Sequence, residues 1–230
     1  VPDVVLATRN AHKLGEVSRL LAPFGLTVGP LPSAVELPAE VGETFSANAL
    51  PKAQATARQL TQPVIADDSG LEAAALDGGP GVRSARYAGE NATDAENLQK
   101  LLAEVPAGSE LRYVCALAFV DGTTERVFGG MCRGHMAPAP RGDHGFGYDP
   151  VFIPDGSLAG GSLAGGSAGS LEGGSAGSLE GGSAGSLEGG PRDRTMAELE
   201  DSEKDLISHR GMAVREFARW FLDDRPGLGR

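Results

Sequence analysis

Apolar residues recur along this chain with two different periods. Val4, Val5 and Leu6, within residues 3–7, form a short apolar run that predicts a strand. Leu14, Val17, Leu20, Leu21 and Phe24 then follow helical spacing, and residues 26–29 predict a second strand. Residues 44–60 are mostly helix formers, with Phe45, Ala49, Ala53 and Ala57 on one face. Pro51 lies inside that stretch, so a kink or a restart is expected there, because proline lacks the N–H and crowds the turn before it. Residues 63–66 predict a buried strand running into a tight turn at Asp67-Asp68-Ser69-Gly70. Thr93-Asp94-Ala95-Glu96 has the spacing of a capping box and opens a helix to about Val105. Residues 111–120 and 124–136 read as two long strands joined at Asp121-Gly122, a hairpin signal. A strand at 148–153, a second capping box at Thr195-Met196-Ala197-Glu198 and an amphipathic helix at 211–222 complete the pattern. The mixture predicts an α/β fold with an antiparallel part.

The pattern breaks between 156 and 190. That segment contains only Gly, Ser, Ala, Leu and Glu, and fourteen of its 35 residues are Gly. Two SLAGG pentads (157–161 and 162–166) overlap three copies of GGSAGSLE (165–172, 173–180 and 181–188). The unit is too short and too rich in glycine to bury a core, so a disordered insertion is expected. A tether for a partner is the functional alternative. The expected organisation is one domain over 1–223, interrupted by this insertion, followed by a tail at 224–230.

Composition narrows the functions. Of 230 residues, 40% are hydrophobic and 22% charged, a globular balance. The formal net charge of −11 disfavours a nucleic-acid polymer as partner, since backbone binding rewards basic surface, but it leaves room for a small phosphate ligand held by local lysines. Aromatics at 5% are too few for a base-stacking platform. No apolar run approaches ~18 residues and the first residues lack a basic leader, so neither a membrane span nor a secretory signal is expected. Two cysteines, Cys115 and Cys132, exclude a disulfide scaffold and a four-cysteine zinc site and fit a reducing cytoplasm.

Four polar constellations carry candidate chemistry. Thr8-Arg9-Asn10-Ala11-His12-Lys13 follows the first strand and opens a helix, where free N–H groups and a partial positive charge suit phosphate. Plain capping of the helix by Thr8 or Asn10 would explain the same residues. Asp67-Asp68-Ser69-Gly70 puts adjacent carboxylates on different sides of the chain, one able to ligate a metal while the other orients a ligand or activates water; an ordinary solvated turn is the alternative. Gly145-Phe146-Gly147-Tyr148-Asp149-Pro150 could sandwich a flat ring and accept its N–H at Asp149, or could be a glycine-rich turn with core aromatics. Ser208-His209-Arg210-Gly211, with Lys204 upstream, could hydrogen-bond a base edge or simply begin a helix.

The strings ATRNAHK, ETFSANALPKA, ADDSGL, GGPGVRSARYAG, GFGYDPVF and SEKDLISHRG occur in this order. Together they resemble the inosine triphosphate pyrophosphatase family, over about residues 4–222 apart from the repeat. The resemblance implies an elongated α/β domain with a central mixed sheet flanked by helices, a homodimer, and Mg²⁺-dependent conversion of ITP, dITP or XTP to the monophosphate plus pyrophosphate. Residue by residue, it implies that Thr8, Asn10 and Lys13 grip the triphosphate and that Lys52 faces phosphate. Glu40 would bind metal, Asp68 would be metal ligand and general base, and Asp67 would support it. Ser69 would touch the substrate, Phe146, Gly147, Tyr148 and Asp149 would form the base pocket, and Lys204, His209 and Arg210 would close over the nucleotide. The chain departs from the family's pattern at Pro51, which bears on the placement of Lys52, and at the insertion, which joins the base-pocket strand to the segment carrying Lys204.

The residue types suit that chemistry. Mg²⁺ prefers the oxygen ligands that Glu40, Asp67 and Asp68 would supply, and lysines can stabilise charge on a leaving pyrophosphate. A donor such as Arg210 aimed at a 6-oxo group would favour inosine and xanthine over adenine. A kinase or other phosphoryl transferase is disfavoured, because the G-x-x-x-x-G-K loop is absent. A catalytically silent nucleotide-binding or interaction module is the alternative.

Overall fold

The computed structural model describes residues 1–155 and 193–223. The expectations of a disordered insertion at 156–190 and a tail at 224–230 therefore lie outside the described residues.

Six strands form one mixed sheet: β1 (Val4–Leu6), β2 (Val28–Gly29), β3 (Val64–Ala73), β4 (Glu110–Val120), β5 (Glu125–Met136) and β6 (Phe152–Pro154), in the order β2-β1-β3-β4-β5-β6. β1 pairs in parallel with β2 and β3, and every pairing from β3 to β6 is antiparallel. Among the described residues, five α-helices accompany the sheet: α1 (Ala11–Leu21), α2 (Phe45–Leu60), α3 (Asp94–Glu104), α4 (Asp201–Ile207) and α5 (His209–Asp223).

Strand alternation sorts the core into two faces. Val4, Leu6, Ile65, Leu117 and Phe119 point to the side covered by α1 and α5, where Phe217, Trp220 and Phe221 pack around Phe119 in tilted and edge-on contacts. Val5, Ala7, Val64, Ala66 and Ala118 point to the other side, against Phe45, Ala49 and Ala53 of α2. A third cluster joins Leu101 of α3, Met136, Phe152 and Met196 at the far end of the β4–β5 hairpin.

Three local expectations are corrected. The acidic motif is not a turn: β3 runs straight through Asp67-Asp68-Ser69-Gly70, and pairs with β4 from Val64↔Val120 to Ala73↔Leu111. Gly70 is required by packing instead, since a Cβ there would lie 2.5 Å from the Gly81 carbonyl oxygen. Of the kink or restart expected at Pro51, the restart does not occur, since α2 runs from Phe45 to Leu60 without a break. Pro51 and Ala47, whose carbonyl loses its partner, are both exposed, so the freed group does not have to be buried. Finally, the stretch 148–153 is a helical turn at Asp149–Val151 followed by the short β6, because Pro150 has no N–H for a ladder. Both capping boxes form, at Thr93 and at Thr195. No helix among the described residues is long and apolar enough to cross a membrane.

Candidate active site

β3 continues well past the end of β1, and a cleft of about 280 Å³ opens at that step. Every residue expected at the site lines it except Asp67.

One wall is the start of α1. Asn10 caps the helix, its Oδ1 accepting from the N–H groups of His12 (2.9 Å) and Lys13 (3.2 Å), while Thr8 Oγ1 accepts from the Asn10 N–H. Capping and cleft lining are thus the work of the same residues. Arg9 is turned away from phosphate duty: its guanidinium donates to the carbonyls of Leu31, Pro32, Ser33 and Val35 and holds that loop in place.

The floor is β3. Because consecutive strand residues face opposite ways, Asp68 shares the face of α2 and Asp67 that of α5. Asp68 accepts from Asn48 Nδ2 of α2 at 3.0 Å and from the Ser69 N–H at 3.1 Å. Burial raises its pKa above the usual carboxylate value, and the neighbouring Glu40 carboxylate adds to the rise against the pull of Lys52. Lys52 itself is buried, ion-pairs with Glu40 and donates to the Asp67 carbonyl at 2.8 Å. Asp67, 1% exposed, is enclosed by two cations and a thiol: Arg210 Nε lies 3.1 Å away, Lys13 Nζ pairs with its other oxygen, and Cys115 Sγ donates to it at 3.3 Å. Burial opposes its ionisation, but Arg210 and Lys13 outweigh burial and hold its pKa far below the ordinary range. Asp67 is a buried counter-ion in this arrangement, behind the cleft rather than on its wall.

The remaining wall is aromatic and basic. Asp149 Oδ2 accepts from Lys204 Nζ (2.8 Å) and from the Phe146 N–H (3.0 Å), and the left-handed turn at Gly145 and Gly147 brings these groups together. Tyr148 is anchored by donating to the Ser84 carbonyl at 2.7 Å. The Phe146 ring stacks on His12 with centroids 5.2 Å apart, and Lys204 Nζ lies 5.2 Å from its centroid. Arg210 donates to Ser69 Oγ at 2.7 Å as well as to Asp67.

Sequence reasoning missed Glu16, Asn48 and Tyr113. Glu16 is buried, accepts from Lys204 Nζ at 2.7 Å and pairs with Arg210 Nη1. Burial pushes its pKa up, but Arg210 and Lys204 prevail and bring it down to about 2. The available signal was an ionisable residue on the apolar face of a helix, next to Val17 and one turn from Leu20. Asn48 offered a related signal, a polar amide on an apolar helix face between Phe45 and Ala49. Tyr113 offered none, since a strand tyrosine at an inward position reads as core.

The donor set fits a hard divalent cation. Glu40 and Asp68 are oxygen donors on one cleft, and their mutual repulsion raises the proton affinity of Asp68. Among the described residues no cluster of three or more metal-ligating side chains forms. Two carboxylates completed by substrate phosphates are the usual Mg²⁺ arrangement.

The model for the Ham1 family matches residues 4–165. A dITP/XTP pyrophosphatase of Geobacillus kaustophilus is 40% identical over 236 residues, covering 99% of this chain and 98% of that protein. The dITP/XTP pyrophosphatase of Bacillus subtilis is 35% identical, covering 94% of this chain and 96% of its own length. Among solved structures, a HAM1 protein from Coxiella burnetii aligns with a TM-score of 0.72 at 34% identity, covering 96% of this chain and 98% of that one. The Staphylococcus aureus Ham1 protein aligns at 0.70 and 30% identity. With the family model, the near-full-length relatives and the shared fold in agreement, the chain belongs to the Ham1 family.

Proposed function

We propose that this protein hydrolyses ITP, dITP and XTP to the monophosphate plus pyrophosphate, removing non-standard purines from the nucleotide pool. The observation that carries the reading is one cleft lined both by the carboxylates Asp68 and Glu40 and by the Phe146–Asp149–Lys204–His209 group. The relatives named dITP/XTP pyrophosphatase support the substrate class.

In this reading the base lies against Phe146, and Asp149 accepts its N1–H. Asn10, through its side-chain amide N–H, meets a phosphate oxygen at the positive end of α1. Lys13 and Lys52 exchange their present carboxylate partners for phosphate and stabilise charge on the departing pyrophosphate. Glu40 and Asp68 would hold Mg²⁺, which supplies charge neutralisation and acidifies water when bound. Asp68 takes the proton of the water that attacks the α-phosphorus. Asp67 acts as the counter-ion that keeps Arg210 in position and holds Lys13 when no nucleotide is bound. The protein works as a homodimer on the cytoplasmic pool, and residues 1–223 form one domain. That last reading is supported by both flanks of the repeat returning to the same core, through the Asp155 N–H to the Arg133 carbonyl (3.0 Å) and Thr195 Oγ1 to the Arg141 carbonyl (2.8 Å).

The test is incubation with ITP, dITP, XTP, ATP and GTP, with and without Mg²⁺, scoring pyrophosphate against free phosphate. Metal-dependent pyrophosphate from the first three is the expected result. Nucleotide binding without product would favour the silent module instead.

A further inference from the structure

Tyr113 belongs to no motif, yet it touches both groups at the base end of the cleft. It lies on β4 and is buried. Its hydroxyl donates to Asp149 Oδ1 at 3.1 Å, and its ring stacks on His209 with centroids 4.7 Å apart and planes 11° from parallel. Phe152 supports the ring with a centroid distance of 4.5 Å.

The hydrogen-bond inventory gives this contact a purpose. An ionised carboxylate offers about four acceptor positions. On Asp149, Oδ2 takes two donors, Lys204 and the Phe146 N–H, and Oδ1 takes one, from Tyr113. One acceptor position is left, on Oδ1, and the Tyr113 hydroxyl decides its direction by filling the other. His209 is buried, and its Nδ1 has no partner among the described residues. Both His209 and Asp149 line the cleft.

We infer that Tyr113 is the positioning residue for base selection: its hydroxyl aims the open acceptor of Asp149 and its ring sets the plane of His209. A 6-oxopurine offers an N1–H donor to that acceptor, whereas adenine presents a lone pair at the same place. Buried polar mismatches of this kind discriminate strongly. The inference rests on the pyrophosphatase reading above and adds to it a residue outside the recognised motifs.

Two variants separate the two contacts. Tyr113→Phe keeps the ring and loses the hydroxyl; Tyr113→Leu loses both. Kinetics with ITP and ATP under saturating Mg²⁺ should show KM for ITP rising about tenfold in Tyr113→Phe, as expected for a lost bond to a charged acceptor, with kcat within about threefold. The ITP/ATP preference should narrow. In NMR spectra, the upfield ring-current shift of the His209 ring protons should survive in Tyr113→Phe and vanish in Tyr113→Leu. An unchanged KM and preference in Tyr113→Phe would overturn the inference, as would parallel loss on both substrates with a lowered Tm, or a His209 shift that persists in Tyr113→Leu. If the unmodified protein releases no pyrophosphate from any purine triphosphate, the functional reading fails by itself. Tyr113 is then judged by the His209 shift and by the dissociation constant for inosine monophosphate, which Tyr113→Phe should raise about tenfold.

Discussion

Gly130 of β5 lies directly beneath the His209 carbonyl: a Cβ at position 130 would sit 1.9 Å from that oxygen and 2.9 Å from the Ala213 nitrogen. Both clashes are with backbone at the start of α5, so neither can be relieved by a side-chain rotation. The helix rests on the sheet at a distance that only glycine permits, and this seats His209 and Arg210 at the cleft. Gly130→Ala should therefore push α5 outward and cost about 1–3 kcal/mol of stability. Activity should fall more than stability alone explains, at least about tenfold in kcat/KM, because a small displacement of positioned groups is expensive. Thermal unfolding and steady-state kinetics of the variant check this; wild-type values in both would refute it.

Asp68→Asn tests the base. Turnover should drop by about 10²–10⁴, with nucleotide binding kept within about tenfold. The stability sign is also fixed. A carboxylate whose folded pKa is raised is penalised when charged, and the penalty is fully present above that pKa and absent below the unfolded value. At neutral pH in chelator, the variant should match or exceed the wild-type Tm. Retention of more than about a tenth of kcat would remove Asp68 from the role of base.

Glu16 gives the opposite sign. Its folded pKa of about 2 lies below the reference 4.5, so its pairing with Lys204 and Arg210 contributes stability that is complete above 4.5 and lost as pH falls toward 2. Glu16→Gln should unfold at lower temperature than wild type at pH 6, and the difference should close between pH 4.5 and 2. A difference that does not vary with pH would mean that packing, not charge, is what the substitution disturbs.

Arg210 binds Asp67, Glu16 and Ser69 at once, so its removal takes from each of two buried carboxylates one of its two cations, leaving Asp67 with Lys13 and Glu16 with Lys204. Arg210→Ala should lose about 3–5 kcal/mol of stability and reduce turnover of ITP and ATP together. A narrowed ITP/ATP preference with an unchanged Tm would instead make Arg210 a direct reader of the 6-oxo group, through the guanidinium N–H groups that remain free of these contacts.

Much of this architecture was legible in the sequence because local chemistry wrote it. The two capping boxes, the β4–β5 hairpin and the polar segment after β1 all depend on residues close together in the chain. The Asp67–Gly70 motif was misread as a turn because Asp, Ser and Gly favour turns in isolation; ten paired positions with β4 override that preference. The opposed directions of the two carboxylates followed from adjacency alone, but which one meets the cleft did not. That depends on α5 covering one sheet face and α2 the other, a tertiary fact. Glu16 and Tyr113 stayed hidden for the same reason, since their partners lie 194 and 36 residues away.

The two-sided character of β3 has a consequence for how this chain can change over evolutionary time. A slip of one residue in the β3–β4 ladder would exchange Asp67 and Asp68, thrusting Asp67 into the cleft and burying Asp68 against Arg210. Side chains along the strand can be replaced one at a time and still fold. A single residue inserted or deleted between Val64 and Asp67, where no β-bulge takes it up, would invert the identity of the acids without changing either of them. The reading frame of the sheet, rather than the composition of the motif, is what descendants of this sequence must preserve.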